Sequence, residues 1–578
     1  MKQKLKWALA FLLPVFNYLL VGFCTYNPIL NTYFRAHILN ILLFEGLVLC
    51  FWAIFGRLNV AICIETVLSV IFGAAFFYVL RFKNTSIMPW DIFSFGTAMS
   101  VADNYDFTPD IRLTIILTCF VLVFVIGIFA GKGDKLKIKK KILVGVLGLT
   151  MITGVTGLVQ NPAFVKAYKL YSVLFYPDRM TYRNGTLVGF LMEIKYMVPE
   201  KPEGYDKTLI EDNYNELVEE SLKQIPEISK QDLPNIIVVM NETFADLSMY
   251  GSLNIEEDVM PFVRSLNKNG ANTKSGTLNV SVFGGNTANS EFEFLTGQSM
   301  NFYPEGSIPY QQYIWSELPN LTSYLKELGY STTAVHPFKP GGWSRTKAYP
   351  YLGFDRFLSE GDFEDPKLIR EYISDESAYD KVIELFENKT QDPMFTFLVT
   401  MQNHGGYTED FPNFNVDVFA ANIRNPVVNR YLSLIKYADK AVEGLISYFE
   451  NVDEDTIIVF FGDHQPAASV TYPVMYSKGI DVYNLTDEEE KKCYKVPYFI
   501  WANFDIEEEH DLETSANYLS LDLMDVAGIE YSPFMKVVND ARKDVPLLSS
   551  KIRPYKETDS YRKYRDTAYY LLFDYGDK

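Results

Sequence analysis

The sequence predicts two different parts, an N-terminal transmembrane domain of five helices and an extracellular α/β domain with a mostly parallel central sheet. Three observations predict this. Five long apolar stretches lie in the first 160 residues, and short apolar runs alternate with amphipathic stretches after residue 235. The charge also changes sign, because the first 160 residues carry 14 Lys and Arg against 7 acids, whereas the rest carry 39 against 65.

The apolar stretches lie at about 7–25, 38–56, 58–80, 111–130 and 142–158. Most approach the roughly 20 residues that a helix needs to cross a bilayer core. We therefore expect five spans within a domain of residues 1–160. A cleaved signal peptide is the alternative for the first stretch, but no small-residue cleavage site follows "LLVGFCTYNPIL" and four more stretches come after it.

Two basic segments set the expected orientation. "MKQKLK" contains three Lys, and "GKGDKLKIKKK", between the fourth and fifth stretches, contains six. Positive residues mark the cytoplasmic side, so five spans place everything beyond residue 160 outside the cell. Cys493 is the only cysteine there, so a large core rather than a disulfide must hold the outer domain. Its acidic charge argues against nucleic acid as a partner.

Residues 161–230 are expected to form a juxtamembrane helical segment and a polar linker, followed by a catalytic domain over 231–578. From residue 235, continuous apolar runs alternate with helical periods, which is typical of a parallel sheet covered on both faces. The runs are "NIIVVM" 235–240, "TTAVH" 332–336, "MFTFLVTM" 394–401, "TIIVFF" 456–461 and "PYFIW" 497–501, and the helical periods lie at 318–329, 377–389 and 428–452.

Ligands of such sheets bind beyond the carboxyl ends of the strands, and four of the runs end in groups that bind metal or phosphate. These are Asn241 with Glu242, His336, Gln402 with Asn403 and His404, and Asp463 with His464. A lone polar residue after a strand is usually a cap or a turn. Four such positions at one edge instead indicate an active site, and carboxylate oxygens with an imidazole suit Mn²⁺ or Zn²⁺ better than Ca²⁺.

A nucleophile is available in "FGGNTANSEFEFLTG", residues 283–297. Its two glycines permit a tight turn, and Thr287 lies at the expected start of a helix. A Thr at that point is most often an N-cap. The functional interpretation is favoured because a helix N-terminus also binds phosphate oxygens and a metal lowers the pKa of a hydroxyl.

The segments "NETFADL", "GGNTANSEFEFLTG", "HPFKPGGWSR", "QNHGGY" and "FGDHQP", in this order behind five apolar stretches, resemble the lipoteichoic acid synthase group of membrane phosphoglycerol transferases. That group belongs to the alkaline phosphatase and sulfatase superfamily, so the resemblance implies a sulfatase-like outer domain. The sequence departs from the group's pattern at Phe338, where a small acidic or amide residue is common, and at "QPAA" after Asp463 and His464.

The resemblance implies one divalent metal, Mn²⁺ before Mg²⁺ or Zn²⁺, held by Glu242, Thr287, Asp463 and His464. Thr287 would be the nucleophile that becomes glycerophosphorylated. The glycerol phosphate would be surrounded by His336, Trp343, Arg345 and His404. The implied donor is phosphatidylglycerol at the membrane, and the implied acceptor is a glycolipid or a growing polyglycerol phosphate chain of the lipoteichoic acid type.

Four other functions share some of these features. A true sulfatase needs a Cys or Ser in a Cys/Ser-x-Pro-x-Arg setting, which the sequence lacks. A phosphoethanolamine transferase uses the same Thr and metal, but its outer domain is typically rich in disulfides. Phosphoglycerol transfer to another glycan differs only in the acceptor. An inactive metal-binding ectodomain is the non-enzymatic alternative, although it would be expected to lose the nucleophile or a ligand.

Overall fold

The structure is a computed structural model that describes residues 3–25, 31–83, 86–92, 107–130, 135–171, 177–197, 199–224, 233–304, 306–390, 392–482, 484–554 and 556–576. The chain divides into two compact units. The helical unit contains Met1–Ile92, Tyr105–Pro199 and Pro304–Gly306, and the sheet unit contains Phe93–Asn104, Glu200–Tyr303 and Ser307–Lys578. Residues 131–134 of the basic segment and 225–232 of the predicted linker lie outside the described residues.

The helical unit consists of α-helices at Gln3–Cys24, Phe34–Phe55, Leu58–Lys83, Ile111–Ala130, Ile138–Gln160, Pro162–Ala167, Pro177–Asn184 and Thr186–Glu193. Within the described residues, four helical stretches are long and apolar enough to cross a membrane, namely Phe34–Phe55, Leu58–Arg81, Ile111–Ala130 and Ile138–Gln160. The first predicted span also forms a helix, but its described apolar part, Phe11–Cys24, is shorter. The length and apolar composition of these four helices indicate a membrane-anchored protein. The fifth span stays a prediction.

Two of these helices approach each other closely through glycine. A Cβ atom added to Gly148 would lie 2.8 Å from the carbonyl oxygen of Gly46 and 2.9 Å from the amide nitrogen of Cys50. Small residues allow such backbone contact between membrane helices. The helices Phe34–Phe55 and Ile138–Gln160 are therefore packed backbone to backbone at this level.

The sheet unit contains an eight-stranded sheet and a two-stranded hairpin. The strands are β1 Asn235–Asn241, β2 Thr273–Asn279, β3 Ser331–Val335, β4 Arg356–Leu358, β5 Leu368–Ile369, β6 Tyr372–Ile373, β7 Met394–Val399, β8 Thr456–Gly462, β9 Lys495–Ala502 and β10 Glu509–Ser515. The sheet order is β10-β2-β9-β8-β1-β7-β3-β4, and β5 pairs with β6. Only β9 runs antiparallel to its neighbours within this described sheet, so the predicted mostly parallel sheet is confirmed.

Helices cover both faces of the sheet. They are Lys207–Gln224, Pro261–Asn269, Thr287–Thr296, Pro309–Gln312, Leu321–Glu327, Arg345–Tyr351, Asp375–Glu387, Pro426–Phe449, Ala468–Ser477, Asp487–Lys492, Leu519–Ala527, Pro533–Asp544 and Asp559–Phe573. Successive residues of a strand point to opposite faces. Accordingly Ile236, Val238 and Met240 pack into one hydrophobic cluster, and Ile237 with Val239 pack into the other.

The five predicted apolar runs all form strands, because each is buried on both faces. The sequence did not reveal β2 and β10, which read "TKSGTLN" and "EHDLETS". These two strands lie at one side of the sheet, and most of their buried positions are polar, namely Thr273, Ser275, Asn279, Thr514 and Ser515. The four parallel strands β3, β7, β1 and β8 end at the same edge, and this edge carries the predicted site residues.

Candidate metal centre and active site

Three predicted metal ligands come together at the ends of β1 and β8. One ligand atom from each of Glu242, Asp463 and His464 lies within 4.8 Å of the others, and all three residues are buried. His464 Nε2 lies 3.1 Å from Asp463 Oδ2 and 3.9 Å from Glu242 Oε1. Register places these residues side by side, because Asn241 of β1 pairs with Gly462 of β8.

The hydrogen bonds around this trio leave lone pairs of His464 and Asp463 available to ligate a cation. His464 Nδ1 lies 2.9 Å from the carbonyl oxygen of Gln465, which only accepts, so Nδ1 carries the hydrogen and Nε2 presents its lone pair. Asp463 Oδ1 accepts from the amides of Thr243 at 2.6 Å and His464 at 2.8 Å. Asp463 Oδ2, in contrast, is buried and has no hydrogen-bond donor among the described residues.

Two lone-pair atoms at 3.1 Å repel each other unless a cation or a proton lies with them. Burial and then the negative charge of Glu242 raise the pKa of the Asp463 carboxyl above its usual value. A bound metal would relieve this repulsion, because carboxylate and imidazole are ordinary ligands of Mn²⁺ and Zn²⁺. The residues present therefore fit the predicted divalent metal, and its identity stays a prediction.

Thr287 lies beside the trio at the first position of the helix Thr287–Thr296. Its hydroxyl donates to Glu242 Oε2 at 3.3 Å, whereas the preceding residue, Asn286, is the N-cap. Thr287 is therefore not a cap, and its hydroxyl faces a carboxylate. The first turn of this helix is linked to the end of β8, because Ser290 Oγ donates to the carbonyl oxygen of Asp463 at 2.6 Å.

The turn before Thr287 requires glycine. Gly284 has a φ of +69°, and a Cβ added there would lie 2.9 Å from Ala467 Cα. Gly285 and Asn286 also have positive φ, at +151° and +66°. Glycine adopts this conformation without the steric cost that other residues incur. The "FGGNT" segment thus forms a sharp turn that leads directly into the helix Thr287–Thr296.

Two further histidines, His336 and His404, follow β3 and β7 at the same edge of the sheet. His336 follows β3, and its Nδ1 lies 2.9 Å from the carbonyl oxygen of Val399, so its Nε2 is the acceptor. Burial and then the Arg345 charge hold the pKa of His336 well below its usual value. His404 Nδ1 lies 3.1 Å from Tyr372 Oη, and burial lowers the pKa of His404 as well. Both imidazoles are therefore neutral at pH 7.

Arg345 is already paired. Its Nε lies 3.1 and 3.3 Å from the two carboxylate oxygens of Glu291, and its Nη2 bonds to the same carboxylate. Tyr349 Oη donates to Glu291 Oε2 at 2.7 Å. The guanidinium edge formed by Nε and Nη2 is thus occupied by Glu291, which leaves only Nη1 for the predicted contact with glycerol phosphate. Trp343 precedes it in a turn with a φ of +54° and packs, half-buried, against the core.

A buried polar network, which no sequence motif indicates, supports the trio. Asn241 Nδ2 donates to Asp375 Oδ2 at 2.8 Å, Asn403 Nδ2 donates to Asn241 Oδ1 at 2.9 Å, and the amide of Glu242 donates to Thr400 Oγ1 at 3.1 Å. Asp375 starts a helix, so its sequence context indicates only a helix N-terminus. Asn241 and Asn403 were visible as polar residues after strands, but not as partners of each other.

Comparison with known proteins places this geometry in context. A sulfatase family profile matches residues 234–529. A putative cyclic beta-1,2-glucan modification protein from Rhizobium meliloti (strain 1021) is 31% identical over 409 residues, which is 68% of this chain and 62% of that protein. The chain thus spans less than two thirds of that relative's length.

Two solved structures share the fold. A phosphoglycerol transferase from Streptococcus pyogenes, in complex with sn-glycerol-1-phosphate, has a TM-score of 0.52 and 20% identity, and the match covers 64% of this chain and 95% of that one. The lipooligosaccharide phosphoethanolamine transferase from Neisseria meningitidis has a TM-score of 0.52 and 14% identity over 90% of this chain and 95% of that one. These two structures show the shared fold, and the sulfatase family profile confirms the predicted superfamily. The narrower lipoteichoic acid synthase group stays a prediction.

Proposed function

Because the chain belongs to the sulfatase family, we propose that it is a membrane-anchored, metal-dependent phosphoglycerol transferase that works through Thr287. The observation that carries this proposal is the Thr287 hydroxyl, which lies at a helix N-terminus and donates to Glu242 within the Glu242, Asp463 and His464 trio. The donor is phosphatidylglycerol, and the site faces the outside of the cell. The orientation rests on the Lys-rich segments on the opposite side of the predicted spans.

The proposed reaction has two steps. First, Thr287 Oγ1 loses its proton and forms a bond to the phosphorus of the donor, while the bond between phosphorus and the diacylglycerol oxygen breaks and diacylglycerol leaves with that electron pair and takes up a proton. Then an acceptor hydroxyl loses its proton and forms a bond to the same phosphorus, while the Thr287 ester breaks and Thr287 Oγ1 takes up a proton. A threonine hydroxyl is a weak nucleophile at neutral pH. A divalent cation held by Glu242, Asp463 and His464 would lower its pKa and offset charge on the phosphoryl oxygens.

The other residues of the site bind and orient the substrate. Glu242 accepts the Thr287 hydrogen bond and so aims the hydroxyl. Neutral His336 offers Nε2 as an acceptor for a glycerol hydroxyl, because its Nδ1 is committed to Val399. Arg345 offers Nη1 to a phosphate oxygen, and the amides at the start of the helix Thr287–Thr296 offer further donors. Positioning and electrostatics provide most of the catalysis in phosphoryl transfer.

Two acceptors are compatible with this site. The resemblance to lipoteichoic acid synthases favours a glycolipid or a polyglycerol phosphate chain. The similarity to a putative cyclic glucan modification protein, at 31% identity, favours a glycan instead. Both acceptors present a sugar or glycerol hydroxyl to the same Thr287 ester, so the first step is common to them.

The test is product analysis with the full-length protein in detergent. Phosphatidylglycerol and phosphatidylethanolamine are supplied separately, each with Mn²⁺, and diacylglycerol is quantified. We expect diacylglycerol from phosphatidylglycerol, together with glycerol phosphate on a glycan or glycolipid acceptor detected by mass spectrometry. Release from phosphatidylethanolamine alone would replace the proposal with phosphoethanolamine transfer. Release from neither lipid would favour an inactive metal-binding ectodomain.

A further inference from the structure

A second arginine, Arg370, lies next to the site in a strained position. It occupies the turn of the β5–β6 hairpin, where Ile369 pairs with Tyr372, and its φ is +60°. Residues other than glycine rarely adopt this conformation, so the backbone at Arg370 is strained. Asn413 Nδ2 holds the turn by donating to the carbonyl oxygens of Leu368 at 3.1 Å and Arg370 at 2.9 Å.

The Arg370 side chain is directed inward rather than to solvent, since the residue is only 3% exposed. Its Nη2 donates to the carbonyl oxygens of Gln402 at 2.8 Å and His404 at 2.7 Å. The guanidinium carbon lies 5.0 Å from the centroid of the Tyr372 ring and 5.4 Å from that of Tyr407. Tyr372 is also the residue whose hydroxyl contacts the His404 imidazole. The hairpin thus holds both the backbone and the ring of His404.

The charge of Arg370 is not paired. In the part of the chain that the structure describes, its Nε and Nη1 are buried without a hydrogen-bond acceptor, and no carboxylate forms an ion pair with it. Arg345, the other buried arginine beside the site, is paired with Glu291. A buried charge without a counter-ion is expensive, as is backbone strain. A glycine at the turn would avoid both costs, so the presence of an arginine requires an explanation.

The surroundings of Arg370 indicate what kind of group would balance this charge. The Glu242 carboxylate of the metal trio acts on it electrostatically, together with the neighbouring Glu371. Glu242 is the acid that a bound cation would neutralise, and Arg370 would then remain the uncompensated positive charge beside His404. An anionic group bound in this part of the site would balance it. In a phosphotransferase site the expected anion is a phosphate ester.

We propose that Arg370 is a positioning residue for phosphate binding, which fixes the Gln402–His404 turn through Nη2 and leaves its positive charge for the phosphate group of the substrate. This inference rests on the proposed function, because it takes glycerol phosphate as the ligand. It also assigns the β5–β6 hairpin to the active site, although the sequence there, "LIREYI", carries no recognisable motif.

The test compares the binding of glycerol phosphate to full-length wild type, Arg370→Lys and Arg370→Met by calorimetry in the presence of Mn²⁺. Arg370→Met should weaken binding by about tenfold or more, since a charge-assisted contact is lost. Arg370→Lys keeps the positive charge but loses the planar guanidinium group and its several N–H donors. Its affinity for glycerol phosphate should therefore lie between those of wild type and Arg370→Met. Arg562→Met, at an exposed ion pair with Asp559, is the control and should bind as wild type does.

Several results would overturn the inference. It fails if wild type does not bind glycerol phosphate, or if Arg370→Met binds it within about twofold of wild type. It also fails if Arg370→Lys and Arg370→Met are equally impaired and both lose Mn²⁺ binding, since that indicates a purely structural role. Binding by wild type without diacylglycerol release from phosphatidylglycerol would refute the proposed function alone. Diacylglycerol release with unchanged binding in Arg370→Met would refute this inference alone.

Discussion

Three buried acidic residues in and near this site, Asp463, Glu291 and Glu293, have different hydrogen-bond and ion-pair partners. Asp463 Oδ2 is buried without a hydrogen-bond donor in the described structure. Glu291 forms an ion pair with Arg345. Glu293, two residues further along the same helix, is buried and forms no ion pair with any residue that the structure describes. Glu293 Oε1 accepts from Ser281 Oγ and from the amide of Met300, both at 2.8 Å. These contrasts lead to two predictions.

The first prediction concerns metal binding. Adding Mn²⁺ to the full-length protein should raise its melting temperature, because a ligand that binds only the folded state stabilises it by mass action, by about 2.7 kcal/mol at 100 times Kd. Asp463→Asn should remove this shift, since it removes the charge of the trio's central carboxylate. Asp540→Asn, at an exposed ion pair with Lys543, is the control. An undiminished Mn²⁺ shift in Asp463→Asn would contradict the proposed metal site.

The second prediction concerns the two glutamates of the helix Thr287–Thr296. Glu291→Gln should destabilise the protein by about 3–5 kcal/mol, because it leaves Arg345 buried and unpaired. It should also raise the KM for the donor lipid. Glu293→Gln should not destabilise, since burial raises the pKa of Glu293 to about 8 and the folded protein already holds that carboxyl protonated at pH 7.

The pH dependence follows from the raised pKa of Glu293. The folded state keeps this proton between pH 4.5 and about 8, whereas the unfolded state releases it. The stability that the group contributes is therefore complete below pH 4.5 and is lost as the pH rises to about 8. Glu293→Gln mimics the protonated form, so its melting temperature relative to wild type should rise by about 2 °C or more between pH 5 and pH 8. A difference that is independent of pH would contradict this account.

At the scale of elements, five strands could be predicted from the sequence, and the three predicted helical periods overlap the helices Leu321–Glu327, Asp375–Glu387 and Pro426–Phe449. Two strands of the sheet and the contacts of the buried arginines could not be predicted. Continuous apolar runs identified β1, β3, β7, β8 and β9, since a strand buried on both faces has no polar alternation. β2 and β10 lack such runs. The partners of Arg345 and Arg370 were also missed, because Glu291 reads as an ordinary helix residue and the hairpin strands β5 and β6 are only two residues each.

The turn before the nucleophile helix gives the prediction at this scale. Gly284→Ala should lower diacylglycerol release by about tenfold or more, because its Cβ would displace the backbone at Ala467 and move Thr287. Gly444→Ala is the matched control, since nothing lies within 4 Å of its added Cβ in the helix Pro426–Phe449. Alanine there should raise stability by about 0.5–1 kcal/mol. Equal release by both variants would contradict the proposed role of the turn.

At the scale of the whole molecule, the proposal requires the site to lie outside the cell. In intact cells, an added protease should digest the sheet unit, because the Lys-rich segments are expected on the cytoplasmic side. An epitope placed at the N-terminus should stay protected. Cys493 is the one cysteine beyond residue 160, but it would report this orientation poorly, because it is 4% exposed and will not react readily. Protection of the sheet unit until the membrane is permeabilised would reverse the orientation.

The central claim is that Thr287 forms a covalent bond to the glycerol phosphate of the donor. It is tested most directly by incubating the full-length protein with radiolabelled phosphatidylglycerol and Mn²⁺, stopping the reaction without an acceptor, and locating the label by peptide mass spectrometry. The account predicts glycerol phosphate on Thr287 in wild type, and neither label nor diacylglycerol release in Thr287→Ala, whose melting temperature should stay close to that of wild type. Diacylglycerol release by Thr287→Ala at the wild-type rate, or label on another residue, would contradict it.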